Sequence, residues 1–151
     1  MFIPQGVIPA LLLPFFDHLS IDEASYRAHV RGVSTTPGIR AITINAHASV
    51  RAIKDWWANP QPHERQTRVL QSLDPAVHVL TNHSSWLLSS LVLGCHGLLL
   101  GSGSVIAPLQ AQLYAASVGE LSHAQAFANR IFPSAEVFYT EPWVDMHNRM
   151  K

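Results

Sequence analysis

Short, continuous apolar runs alternate along this chain with stretches of helical periodicity, and that alternation restricts the fold more than any other feature. The first run, Val7 to Leu13, has no polar residue between its apolar ones. A strand of that kind is covered on both faces, as in a buried parallel sheet. A helix is expected next, because Ser20-Ile21-Asp22-Glu23 reads as a capping box with Ser20 at the cap, and Tyr26, His29, Val30 and Val33 continue at helical spacing. Pro37-Gly38 turns the chain into a second run, Ile39 to Ile44, and a third run ends at Lys54. Further on, the pattern predicts helices over 62–73, 84–93, 107–118 and 122–132, strands over 77–80 and 98–100, and the start of a helix at 144–151. Strand, helix, strand in this order argues for parallel βα units.

One junction breaks the rule. Only Asn45 to Ser49 separate the run Ile39–Ile44 from the run Val50–Lys54. Neighbouring parallel strands need a crossover of about a dozen residues or more. The two runs therefore form an antiparallel hairpin, or one of them is not a strand, or intervening sequence has been lost.

The chain has 151 residues, ten basic and ten acidic side chains, and a formal net charge of zero. Neutrality gives nucleic acid or an anionic membrane no electrostatic hold. Charged residues make up only 13%, against about 25% in an ordinary soluble domain. Either much of the surface is covered by something else or the chain is a piece of a larger fold. One cysteine, Cys95, cannot form an intramolecular disulfide, which suits a reducing compartment. The N-terminus lacks the basic region of a signal peptide, and the apolar stretch Trp86 to Leu100 is interrupted by serines, glycines and His96, so a cytoplasmic protein is expected.

Lys54 is one of two lysines; the other, Lys151, is the last residue. An amine at the end of a buried strand can have its pKa lowered by apolar surroundings, and it then attacks carbonyl groups. The alternative is a solvated lysine paired with Asp55. The nine histidines form no metal-binding spacing, and no metal or cofactor is expected. His47 and His83 both follow expected strands and could line one pocket or hydrogen-bond within their loops. Gly101-Ser-Gly-Ser104 precedes a helix, where it makes either a turn or an anion site. Cys95 is expected to be buried, and no Gly-x-Ser-x-Gly elbow supports a serine hydrolase.

These residues carry a resemblance. Gly6-Val-Ile-Pro-Ala-Leu-Leu-Leu-Pro-Phe15, Ser20-Ile-Asp-Glu23 and Ile42-Thr-Ile-Asn-Ala-His-Ala-Ser49 together resemble the opening of the dihydrodipicolinate synthase and N-acetylneuraminate lyase family. Ala52-Ile53-Lys54-Asp55 is similar to that family's sixth strand. The stretch from Val77 to Asn82, and Gly94-Cys-His-Gly-Leu-Leu-Leu-Gly-Ser-Gly103 after it, is similar to the seventh and eighth. The resemblance implies a (β/α)8 barrel and Schiff-base lyase or synthase chemistry of the aldolase type on pyruvate or a related 2-keto acid. By the same resemblance Lys54 forms the Schiff base. Asn45, His47, Ala48 and Ser49 stand for the loop that receives the substrate carboxylate, with His47 and Ala48 where the family has two threonines, and Leu99 and Gly101 line the pocket from the eighth strand.

A full barrel takes about 250 residues. The resemblance therefore implies a single partial barrel lacking the third to fifth βα units. Residues 1–49 match the first two strands and first helix, and residues 50–151 run from the sixth strand to the helices after the eighth. The family's Tyr-Asn-x-Pro segment, whose tyrosine relays protons, would lie in the missing part; Tyr26, Tyr114 and Tyr139 do not sit in that context. An open barrel leaves strand edges and apolar faces bare, so a homo-oligomer is expected. The non-enzymatic alternative is an inactive fragment that acts only by associating with itself or with a full-length relative.

Overall fold

The computed structural model describes residues 5–11, 14, 16–18, 20–42, 52–55 (backbone), 60–73, 78–142 and 145–150. In chain order the elements are β1 (Gly6–Val7), α1 (Glu23–Ser34), β2 (Ala52–Asp55), α2 (Pro60–Leu73), β3 (His78–Thr81), a 3-10 turn (Ser84–Trp86), α3 (Leu87–Val92), β4 (Gly97–Leu98), α4 (Gly103–Ser117), α5 (Leu121–Phe138) and α6 (Met146–Arg149). All three strand pairings are parallel, so the class is α/β as the alternation predicts.

The sheet order is β1-β4-β3-β2. On the other side of β1, Val7 makes a parallel bridge to Ile39. Across the array, the order of runs is therefore second, first, last, fourth, third. That is the cyclic order of consecutive βα units, cut open between the second and third runs. Pairing of the first strand with the last is what a closed barrel requires, and it is the arrangement found here at the seam between β1 and β4. The segment from Ile42 to Ala52 thus links opposite edges of the array. Among the described residues β2 pairs with β3, and none of its pairings is with the run at Ile39. Residues 43–51 lie outside the described residues.

Close approach at the seam explains a glycine. A Cβ at Gly97 would sit 2.2 Å from the Gly6 carbonyl oxygen, so no other residue fits while β1 and β4 stay paired. Two further ladder bonds, Ile8 N–H to the Leu98 carbonyl at 2.8 Å and Ala10 N–H to the Leu100 carbonyl at 2.9 Å, carry the seam past the formal end of β1.

One face of the sheet holds the main core. Val7, Leu98 and Leu100 pack there with Leu87, Ala111, Leu113, Ala124 and Ile131 from the helices, all 5% exposed or less. Burying the valine, leucine and isoleucine side chains among them contributes about 1.5–3 kcal/mol each. The opposite face carries a smaller cluster of Ile8, Leu80 and Leu99, with Ala41 against it.

Several boundaries differ from the pattern. The α1 cap is Asp22 rather than Ser20: its carboxylate accepts from the Ser25 N–H at 3.0 Å and the Ser25 hydroxyl at 2.6 Å, while Ser20 Oγ bonds His18 Nε2. Residues 84–93 split into a 3-10 turn and a six-residue helix, which Gly94 at φ +100° ends. α4 begins four residues before Ala107, across a kink at Ile106 (φ −118°, ψ 28°) ahead of Pro108. α5 continues through Pro133 to Phe138 because Ile131, Ala135 and Phe138 lie buried along one side of it, and that packing outweighs the lost hydrogen bond. The last helix is a single turn, Met146–Arg149.

Candidate functional site

Register places the residues that matter. Lys54 pairs with Leu80, and Asp55 with Thr81. In-register partners on parallel strands share a face, and successive residues alternate faces. Position 54 is thus on the face of Leu80, which joins Ile8 and Leu99. Positions 54 and 55 fall on opposite faces. The Leu99 N–H bonds the Thr81 carbonyl at 2.9 Å and the Leu99 side chain is 7% exposed, so Leu99 belongs to the same face as position 54, two strands away. Gly101 follows at the tip of the turn after β4, with nothing within 4 Å of where a Cβ would stand. Asn45, His47, Ala48 and Ser49 lie outside the described residues.

The C-terminal ends of β3 and β4 are unexpectedly polar. Thr81 Oγ1 donates to Ser90 Oγ at 3.1 Å, Ser90 Oγ is 2.8 Å from His63 Nε2, and Ser90 is wholly buried. Ser84 and Ser102 hydroxyls are 2.9 Å apart, and Gln110 Nε2 donates to Ser102 Oγ at 3.0 Å. Tyr139, delivered by the end of α5, donates its hydroxyl to the Asn82 carbonyl at 3.0 Å. Burial pushes the Tyr139 phenol above its usual pKa, against the smaller opposing effect of bonds from Ser84 and Ser102. The hydroxyl therefore stays protonated near neutral pH.

His83 lies between two rings, 3.7 Å from Trp86 and 4.2 Å from Tyr139, and its Nδ1 accepts from the Ser85 N–H at 3.4 Å. Burial, and then the charge of His63, lowers its pKa to about 4, so it is neutral at physiological pH. Of the two sequence readings for His83, the loop hydrogen bond is present, and the ring stacks with elements of the helical layer. Gly101-Ser-Gly-Ser104 makes a turn in which the Gly103 N–H bonds the Leu100 carbonyl at 3.3 Å and the Ser104 N–H bonds the Gly101 carbonyl at 3.0 Å. Cys95 is buried.

Tyr139, Gln110 and His63 had no local signal. Each reaches the strand ends from a distant helix, 57 residues away in the case of Tyr139 and Asn82. A cleft of about 610 Å³ also opens in the helical layer, with His63, Glu64, Arg68, Trp86, Ser90 and Leu121 among its lining residues. Among the described residues, no group of three His, Cys, Asp or Glu side chains could hold a metal ion, and no helix is long and apolar enough to cross a membrane.

No family model and no curated protein matches this sequence. Solved structures do match its fold. A prophage protein of the dihydrodipicolinic acid synthase family from E. coli K12, solved with pyruvate, aligns over 97% of this chain and 87% of its own at a TM-score of 0.78 and 11% identity. Dihydrodipicolinate synthase from Aquifex aeolicus aligns over 91% and 84%, with a TM-score of 0.74 and 12% identity. N-acetylneuraminate lyase from Fusobacterium nucleatum aligns over 94% and 90%, with a TM-score of 0.65 and 8% identity. The chain has the fold of these enzymes, and the resemblance read from its motifs points to the same group.

Proposed function

We propose that this chain is a partial (β/α)8 barrel of the dihydrodipicolinate synthase and N-acetylneuraminate lyase kind, and that Lys54 condenses with pyruvate or a related 2-keto acid. The observation that carries this reading is the register of Lys54 with Leu80, on the sheet face of Leu99, in a sheet with a barrel's cyclic order. The solved neighbour with pyruvate supports the substrate class. The cut in the ring between Ile42 and Ala52 is where loss of the third to fifth units would leave it.

In the proposed reaction the neutral amine adds to the keto carbon, the carbinolamine loses water, and the iminium draws electrons from the adjacent carbon so that a C–C bond there forms or breaks. Asn45, His47, Ala48 and Ser49 are the proposed receivers of the carboxylate, with Leu99 and Gly101 lining the pocket. Loss of the proton-relaying tyrosine would cost about 10²- to 10⁴-fold in rate. Tyr139 does not replace it, because its hydroxyl is committed to the Asn82 carbonyl and its proton is firmly held.

Incubation with pyruvate and borohydride, followed by peptide mass analysis, tests the mechanism. One reduced adduct is expected on Lys54 and none on the Lys54→Ala protein, with Lys151 as the internal control. An intact protein without an adduct at Lys54 removes the mechanism.

A second reading rests on the open ring. The outer edge of β2 has no strand partner among the described residues. A fragment of this shape could act only by associating with itself or a full-length relative. Light scattering on the purified chain separates the two: a monomer that unfolds cooperatively counts against association.

A further inference from the structure

Asn82 follows the last residue of β3 and is only 6% exposed, yet its side-chain Oδ1 has no hydrogen-bond partner among the described residues. The backbone at His83 is still extended (φ −103°, ψ 115°), so faces continue to alternate past the end of β3. His83 stacks with Trp86 and Tyr139 on the helical side, which puts Asn82 on the other side, above Leu80 and beside Leu99. The local task an asparagine could do here, capping the turn Ser84–Trp86, is done by His83 instead. Its backbone carbonyl is fixed by Tyr139. The residue is thus anchored, and its Oδ1 is buried and unpaired. An unpaired buried amide costs about 1–3 kcal/mol, and it stands at the strand ends where barrel sites lie.

We infer that the Asn82 carboxamide is a positioning residue for the reaction at Lys54, holding the oxygen that leaves the keto acid. This rests on the function proposed above. Asn82 is two residues beyond Leu80, the register partner of Lys54. Strand geometry sets the two positions about 7 Å apart along the strand and about 5 Å across. A lysine side chain bearing a three-carbon acid spans that separation. When the amine adds, the keto oxygen takes a proton and becomes the carbinolamine hydroxyl; it takes a second and departs as water. That hydroxyl is the donor Oδ1 lacks, and a half-turn of the amide offers N–H to the oxygen before addition. Asn82 itself neither gains nor loses a proton.

Asn82→Leu and Asn82→Ala separate positioning from simple packing. The limiting rate of borohydride-trapped adduct formation is expected to fall about 10- to 100-fold, with half-saturating pyruvate nearly unchanged. The urea midpoint of Asn82→Leu should stay level or rise, because an unpaired buried group has been removed. Asn82→Ser, which restores an oxygen, should recover part of the rate. An unchanged limiting rate, or a lower midpoint for Asn82→Leu, overturns the inference while Lys54 keeps its role. A wild-type protein that forms no adduct removes both.

Discussion

The two faces of this sheet are built to different ends. The helical face is large and apolar, with Leu98, Leu100, Leu113 and Ile131 all within 1% of complete burial. Among the described residues the other face has a small apolar cluster, Ile8, Leu80 and Leu99, and the position of the amine. It also holds an amide without a partner, Asn82. Well-packed apolar surface can only stabilise, whereas an unsatisfied polar group costs stability and can repay that only by meeting a ligand. Unsatisfied buried polar atoms occur on the helical side as well, at Thr67 Oγ1 and Gln110 Oε1, so what sets Asn82 apart is its place at the end of β3, on the face of position 54.

Substitutions can break that contrast. Lys54→Ala should abolish adduct formation completely and shift the urea midpoint little; a large stability loss with no change in labelling would reverse the assignment of the faces. Leu113→Ala, which empties a fully buried site in the helical core, should cost about 3–5 kcal/mol in chemical denaturation. Leu99→Ala should cost less, about 2–3 kcal/mol, because its cluster is smaller; equal losses would mean that the second face is a core as well. Gly97→Ala forces a methyl group onto the Gly6 backbone and should cost at least about 2 kcal/mol by opening the seam.

Acid titration sharpens the comparison from the helical side. His83 takes a proton near pH 6.5 in the unfolded chain but only at about pH 4 when folded. The unfolded state therefore binds more protons in that interval, and stability drops as pH falls from 6.5 towards 4. The loss should be about 1–3 kcal/mol in all, and His83→Phe should flatten the slope of midpoint against pH. Smallest of all is Arg68→Ala, which breaks an exposed ion pair with Glu64 (2.8 Å) in the rim of the helical cleft. It should change stability by less than about 0.5 kcal/mol.

Much of the α/β order was legible because strands buried on both faces leave continuous apolar runs such as Val7–Leu13, and α2 announced itself by its periodicity. Element ends were less legible. Ser20 and Asp22 are both good caps, and only the path of the chain decided that Asp22 meets Ser25. The expected helix ended at Phe132, and the burial of Ile131 and Ala135 carries α5 past Pro133. Of the proposed site, an isolated lysine after an apolar run is conspicuous in the sequence, whereas Asn82 is an ordinary turn residue there. Its buried, unpaired Oδ1 together with its place at the end of β3 distinguishes it.

The sequence by itself determined the parallel βα class and put one interior amine at the end of a strand, because hydrophobic periodicity and residue type are local properties. Tertiary structure alone decided that the first and last strands meet at Gly6 and Gly97, that the runs flanking Asn45–Ser49 sit at opposite edges, and that position 54 shares a face with Leu80. Pairing and register are contacts between distant segments, and their free energy comes from surfaces that exist only once the chain has folded.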